Sequence, residues 1–496
     1  MIEAGGRNTG VRTRMPAMLG MQTPATNWAY ETVPQPGLSG RRGYQPRGRG
    51  LGGSSAINAM LYVRGNAWDY DNWAALGCPG WSWDDVLPAF KRAEHNVRGA
   101  DAWHGADGPL WVSDQLDPHP ANAAFIDAAE SLQIARNDDF NGARQEGAGL
   151  FQVTQRDGER WTAARAYLGE ARPNLHIVTD ALAERVLFED GRAWGVAYRR
   201  GGESHTIRAR GAVVLAGGVF ATPQLLMLSG IGEARHLAEH GIAVRVDRPA
   251  VGTNLQDHLD YTAVYDSALP GLLGKSFKGS LAGLWGMAQW YRRKRGPMTT
   301  VLAESGAFLR VDPAAPAPDV QLHFLIAPVE DHGRAKVPGH GFSCHTCVLR
   351  PESHGTVRLA GPDAATMPLI DPKFLSDPRD LDLLKRGVRL MYRIMDAPAM
   401  AALGGRDRYP VDTADDTALE ALIRARADTI YHPVGTARMG SDDAAVCDPR
   451  LRVRGVERLY VADASIMPKL VSGNTNAPAI MIGERAAEFV GADLAA

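Results

Sequence analysis

The chain has 496 residues, of which 45% are hydrophobic and 22% charged, and its formal net charge is −2. That length exceeds one simple core and predicts two domains or more, while the near-neutral balance excludes the basic footprint of a nucleic-acid binder. Four cysteines are too few to staple so long a chain, and no apolar run approaches the roughly 18 residues of a membrane-spanning helix.

Met1-Ile2-Glu3-Ala4-Gly5-Gly6 reads as a strand tip ending in an acid, then a turn. There is no apolar signal core, which predicts a cytoplasmic protein. From Gly50 to Ala56 six of seven residues are small, which lets backbone approach a phosphate or a ring closely. A Gly-Ser linker is the alternative, but linkers do not usually run into Ile57-Asn58-Ala59-Met60-Leu61-Tyr62-Val63.

Trp68–Trp73 and Trp81–Leu87 read as two helices, the second capped by Ser82 or Asp84. A strand follows at 109–113, helix at 121–132, strand at 150–155 and helix at 162–168. This block is expected to cover a ligand site. Strands at 175–179, 185–188 and 193–198 carry a hairpin turn at Glu189-Asp190-Gly191. The buried strand Ala212–Leu215 ends in Ala216-Gly217-Gly218. A helix is expected from Thr222, its N-cap, to Gly230, its C-terminal glycine. His258 reads as structural.

Between Lys275 and Arg295, Leu281, Leu284, Trp285 and Ala288 recur at helical spacing ahead of Arg292-Arg293-Lys294-Arg295. The bland reading is a surface helix whose terminal cations complement its dipole. The sharper one is a peripheral membrane contact through Trp285, Trp290 and the basic run. Cys344 and Cys347 lie on a strand, where positions i and i+3 face opposite ways, which argues against a metal or redox pair. Residues 377–395 are helical. His432 before Pro433 is, by itself, a turn or core histidine. Leu459–Asp463 reads as a buried strand ending in an acid. A helix then starts near Asn476, its expected N-cap, with Pro478 in the first turn and an all-round apolar stretch Ala479–Gly483 that reads as interior. Such a helix N-terminus suits an electron-rich group.

Four segments together resemble the glucose–methanol–choline (GMC) oxidoreductases. They are Arg47–Gly65, Ala212–Gly232, Tyr431-His432-Pro433-Val434-Gly435-Thr436, and Asp463-Ala464-Ser465 with Gly473-Asn474-Thr475-Asn476-Ala477-Pro478. The resemblance spans essentially the whole chain. It implies an α/β fold: a discontinuous Rossmann-like FAD domain (1–67, 175–262 and 445–496) and an α+β substrate domain with a mainly antiparallel sheet (68–174 and 263–444). The family's leading dinucleotide-binding strand and glycine loop are expected to be missing here.

The resemblance also implies roles. Glu3 would hold the adenosine ribose. Gly52, Gly53, Ser54, Asn58, Ala59, Ala183, Ala216, Gly217, Asp463, Ala464, Asn474, Asn476 and Ala477 would line the cofactor. FAD would be non-covalent, because Ile57 stands where some relatives carry an attaching histidine. His432 would be the base, and Asn474, which cannot be one, would orient the hydroxyl while hydride passes to flavin N5. Glu304 matches a position that meets the cationic substrate in choline-oxidising relatives. The partners implied are a small-molecule alcohol and a quinone or oxygen as electron acceptor. A flavin-retaining hydroxynitrile lyase and a flavin-free binding protein stay open as alternatives.

Overall fold

The computed structural model describes every residue except 170–172, 276, 336 and 496, and no side chain over 275–280. Two early helices start where side chains satisfy free backbone N–H groups. Helix α1 (Ala67–Ala75) begins with a reciprocal pair: the Asn66 side chain accepts from Trp68 N, and Asp69 accepts from Asn66 N. In α2 (Trp83–Ala93), Asp85 accepts from both Ser82 N and Ser82 Oγ, which selects Ser82 over Asp84 as the cap. After α3 (Ala121–Ser131) come β1 (Gly147–Leu150) and the antiparallel sheet β2 (Ala181–Glu189), β3 (Arg192–Arg200) and β4 (Glu203–Arg208). Asp190 and Gly191, both at positive φ, make the expected hairpin turn. The strand expected at 175–179 is instead a single parallel bridge, Ile2 to Val178.

Strand β5 (Val213–Leu215) leads into α4 (Gly218–Leu228). Then follow β6 (Leu259–Asp266), α5 (Phe277–Arg293), β7 (Ala303–Leu309), β8 (Val320–Leu325), β9 (Gly339–Val348), α6 (Pro378–Met395), β10 (Leu459–Val461) and α7 (Asn476–Ala495). Thr222 lies inside α4 and is not its cap, because the helix already starts at Gly218. Gly230 does terminate it, at φ +85°. Helix α7 starts at Asn476 itself, so the cap position belongs to Thr475. The helix buries only one face, through Ala477, Pro478, Met481, Ile482 and Ala486, while Gly483 is exposed; the expected interior helix is amphipathic.

Two main cores result. One gathers β5, β10, α4 and the buried face of α7, together with Tyr70, Trp73 and Phe90 from α1 and α2 and Trp81 from the turn between them. The parallel pairing of β5 and β10, Val213 opposite Leu459, sets both strand ends at one edge. The other core lies under the larger sheet, in the order β6, β9, β8, β7, β1, all antiparallel. Period-two alternation divides that sheet. Leu259, Tyr261, Val320, Leu322, Phe324, Cys344 and Val348 face the helix side with α3 and α6. Cys347 and Leu349 pack in a separate cluster with Val63, Phe151 and Phe308, so Cys344 and Cys347 do face opposite ways. His258, Asp260, Gln321, His323 and His345 fall in the same alternating register as Cys347, which gives that second face an unusual share of buried polar groups.

Candidate active site

Two segments bring the reactive side chains together. Leu255–His258 and Ile430–Val434 run antiparallel. Ile430 N donates to the His258 carbonyl at 3.1 Å, and Gln256 and Val434 exchange backbone bonds of 3.1 and 2.8 Å. This register places His258 opposite His432, 174 positions away, with their Nδ1 atoms 3.0 Å apart. Tyr431 holds φ +76°, a left-handed conformation uncommon for an aromatic residue and of the kind that gathers at functional sites. Its N–H donates to Thr429 Oγ1 and its hydroxyl meets His332 Nδ1, both at 2.8 Å. Beyond this kink, His432 N donates to Asp257 Oδ1 at 2.9 Å.

Asn474 comes from the loop between β10 and α7. Gly473, at φ +153°, lets that loop in: a Cβ there would lie 2.7 Å from Val63 Cγ1. Asn474 Nδ2 stands 3.1 Å from His432 Nε2, while Asn474 Oδ1 accepts from Gln321 Nε2 at 3.2 Å. His432 is 7% exposed. Burial holds its pKa well below the ordinary 6.5, and the neighbouring His258, His323 and Arg47 charges lower it further. Burial likewise pushes His258 to about 3, the Leu349 and Val471 carbonyls opposing. Asp257 is raised to about 6 by burial, its hydrogen bond from Thr429 and the Arg47 charge offsetting part of that. At neutral pH His432 is therefore an uncharged imidazole beside an amide N–H. Such a pair can accept a proton from a hydroxyl and hydrogen-bond the oxygen left behind.

The structure therefore joins His432 and Asn474, as the motif implied. It also draws in two residues the sequence left out of the site. His258, expected as structural, contacts the His432 ring directly. Gln321 holds Asn474. The available signal for Gln321 was its alternation with Leu322, His323 and Phe324: polar residues at period two in an otherwise apolar strand.

The expected cofactor residues form a second group. Glu3 Oε1 accepts from Gly5 N and Gly50 N at 2.8 and 2.9 Å, clamping the N-terminal turn to the glycine loop. Part of that loop's glycine content serves this packing: a Cβ on Gly5 would meet Gly50 N at 2.4 Å, and one on Gly48 would meet Gly53 O at 2.1 Å. Gly52 and Gly53 have positive φ, and a Cβ on Gly53 would meet nothing within 4 Å. Ser54 Oγ accepts from Gly48 N. Asn58 Oδ1 accepts from Met60 N and from Arg160 Nη1; Ala59 follows it, half-buried. Asp463 is a staple between strand and helix. Its Oδ2 accepts from Gly218 N and Thr222 Oγ1, and its Oδ1 from Ser465 N. Ala216 and Gly217 are exposed at the end of β5, Ala464 is half-buried after Asp463, and Ala183 is half-buried in β2. Asn476 and Ala477 form the first turn of α7.

The fit of an electron-rich cofactor rests on two arginines beside the loop. Arg47 and Arg160 each have buried Nε and Nη2 atoms without a hydrogen-bond partner. Burial lowers them to about 10 and about 9 respectively. Cations buried with free N–H edges fit a phosphate-bearing or electron-rich ligand such as FAD. Glu304 lies on β7. It is 1% exposed, and its carboxylate accepts from Thr300 Oγ1, His119 N and Asn122 Nδ2 at 2.6 to 2.8 Å. The wide cleft of about 720 Å³ between Trp68, Arg350, Arg379 and Lys469 contains neither His432 nor Asn474.

Residues 1–260 and 351–483 match two family models, both described as GMC oxidoreductase. The first match begins at residue 1 and gives the expected missing leading unit no support. An alcohol dehydrogenase [acceptor] of Pseudomonas putida is 45% identical over 99% of this chain and 90% of its own length. An oxygen-dependent choline dehydrogenase of Rhizobium etli is 41% identical over the same shares. Among solved structures, a formate oxidase of Aspergillus oryzae RIB40, described for its FAD modification, superposes with a TM-score of 0.91 at 25% identity, covering 99% of this chain and 93% of that one.

Proposed function

The chain belongs to the GMC oxidoreductase family, and from that premise we propose that it oxidises an alcohol to an aldehyde or ketone with FAD as cofactor. The observation that carries this reading is the buried His432 Nε2 to Asn474 Nδ2 contact of 3.1 Å. FAD, when bound, supplies the acceptor for the hydride that leaves the carbinol carbon. The chain's own residues manage the hydroxyl. His432 takes the proton at Nε2, which its depressed pKa keeps free at neutral pH. Asn474 donates to the same oxygen as negative charge grows there. Burial keeps water from competing for either contact.

In this reading Glu3, Gly53, Arg47 and Arg160 hold the cofactor, and Ile57 offers no nucleophile for a covalent link. Glu304 ties the 119–122 segment to β7 and does not serve as a cation site. Electrons leave to a quinone-type acceptor or to oxygen, the two acceptor classes the resemblance implies. The test is anaerobic addition of primary alcohols and choline to the FAD-loaded protein. Bleaching of the flavin's visible absorbance is expected, and re-oxidation by a soluble quinone against oxygen then ranks the acceptors. If no alcohol bleaches the flavin while a cyanohydrin is cleaved, the lyase reading replaces this one. If the protein retains no flavin at all, the flavin-free reading does.

A further inference from the structure

A neutral imidazole carries its proton on one nitrogen only, and its neighbours decide which. His258 Nε2 lies 3.0 Å from the Leu349 carbonyl oxygen. A carbonyl accepts and cannot donate, and Leu349 is the carbonyl that meets hydrogen-bond geometry with the His258 ring among the described residues, so His258 holds its proton on Nε2 and presents a lone pair at Nδ1. That lone pair lies 3.0 Å from His432 Nδ1, which must then be the donor. His432 Nε2 is left as the bare nitrogen, where Asn474 Nδ2 donates to it. The other end is compatible with this: Gln321 Nε2 donates to Asn474 Oδ1, with the Asn474 NH2 toward His432. Four hydrogen bonds, from Gln321 through Asn474, His432 and His258 to Leu349, thus run in one direction.

We propose that His258 is a positioning residue that keeps the ring proton of His432 on Nδ1 and so makes Nε2 the proton-accepting nitrogen. The inference rests on the alcohol-oxidation reading for its consequence, and on the hydrogen-bond chain alone for the tautomer. When His432 takes the hydroxyl proton at Nε2, the Nδ1–H to His258 bond becomes charge-assisted and shortens the loss of solvation that a buried imidazolium suffers. Among the described residues, His258 Nδ1 is the hydrogen-bond partner of His432 Nδ1.

The experiment has two readouts. Nitrogen-15 histidine spectra of the wild-type protein, assigned by the signals lost in His432→Gln, report which ring nitrogen is protonated without any turnover. Stopped-flow flavin reduction by a primary alcohol reports the consequence. The spectra are expected to show His432 protonated at Nδ1 and bare at Nε2. His258→Leu, which removes the acceptor, is expected to mix the two tautomers and slow reduction roughly 10–100-fold, as loss of comparable orienting partners does. His258→Asn places an amide oxygen near the former Nδ1, and is expected to restore both the single tautomer and most of the rate. Wild-type His432 protonated at Nε2 would overturn the proposal even if neither variant folds. So would a folded His258→Leu protein with unchanged tautomer and rate. Absence of flavin reduction in the wild type, with the Nδ1 tautomer present, sinks the functional reading and leaves the tautomer assignment standing.

Discussion

At the scale of single residues the site separates a proton acceptor from an oxygen donor. His432→Gln removes the acceptor and is expected to lower the rate of flavin reduction about 10²–10⁴-fold, the usual worth of a positioned base. Asn474→Ala removes only the donor to the developing oxyanion, with an expected loss of roughly 10²–10³-fold. Both are read by anaerobic stopped-flow, and a larger loss for Asn474→Ala than for His432→Gln would contradict the division of roles. Glu304 makes a different prediction. Because its carboxylate is occupied by Thr300, His119 and Asn122, Glu304→Leu leaves the His119 N–H and the Asn122 amide without their acceptor, at a cost of about 1–3 kcal/mol in stability. Its effect on KM is expected to be the same for choline as for a neutral alcohol of similar size. A selective rise for choline would restore Glu304 as a substrate contact. The His432 motif was legible because neighbouring residues carried it. The His258 contact was not, since it closes across 174 positions and no local pattern announces it.

At the scale of elements, local signals were legible where the partner is local. Ser82 and Asp85, Asp377 ahead of Pro378, and Asp190-Gly191 all sit within a few residues of the backbone they satisfy. Thr222 misled because its partner is Asp463, 241 positions away; a Thr-Pro pair reads as a helix start unless that distant carboxylate is known. The surface helix α5 was half legible. Leu281, Leu284, Trp285 and Tyr291 do form an exposed apolar face, but Trp290 is 1% exposed, donates to Gly158 O, and belongs to the interior. Lys294 of the basic run is paired with Glu159. A peripheral contact would therefore use Trp285 with Arg292, Arg293 and Arg295. The protein is expected to sediment with phosphatidylglycerol vesicles at low salt and not with phosphatidylcholine ones. Leu284→Ala with Trp285→Ala should abolish this; equal sedimentation of that double variant would end the idea.

The loop at His104 offers a pH test at the same scale. Arg64 and Glu94 are fully buried partners at 2.6 Å, and His104 bridges Glu94 and Asp139. Burial alone would lower the His104 pKa, but hydrogen bonds to Asp139 and Glu94 outweigh it and raise the value to about 9. The folded value exceeds the unfolded one, so the stabilisation is whole below pH 6.5 and fades as pH rises through 9. The loss is about 3 kcal/mol. The wild-type Tm should fall across that interval more than that of His104→Asn; parallel curves would show that His104 is not the titrating group.

At the scale of the whole molecule, fold class was legible from a family resemblance that runs the length of the chain. The way the cores divide the chain was less so. Helices α1 and α2 and the turn between them, expected to cover a ligand site, bury Tyr70, Trp73 and Trp81 in the core of β5 and β10, because packing follows apolar faces and not the position of motifs along the chain. His432 and Asn474 themselves sit on different supports. His432 is registered against the strand that begins at Leu259, while Asn474 arrives on the loop after β10 and touches the larger sheet through Gln321. A single 3.1 Å contact joins them. That contact works as a fuse. A slight parting of the His432 and Asn474 segments, too small to expose Trp73 or Trp81, is expected to break it. Mild denaturant should then abolish flavin reduction before tryptophan fluorescence registers any unfolding, and a stabiliser of either core taken singly should raise the melting temperature without extending the range over which the enzyme works.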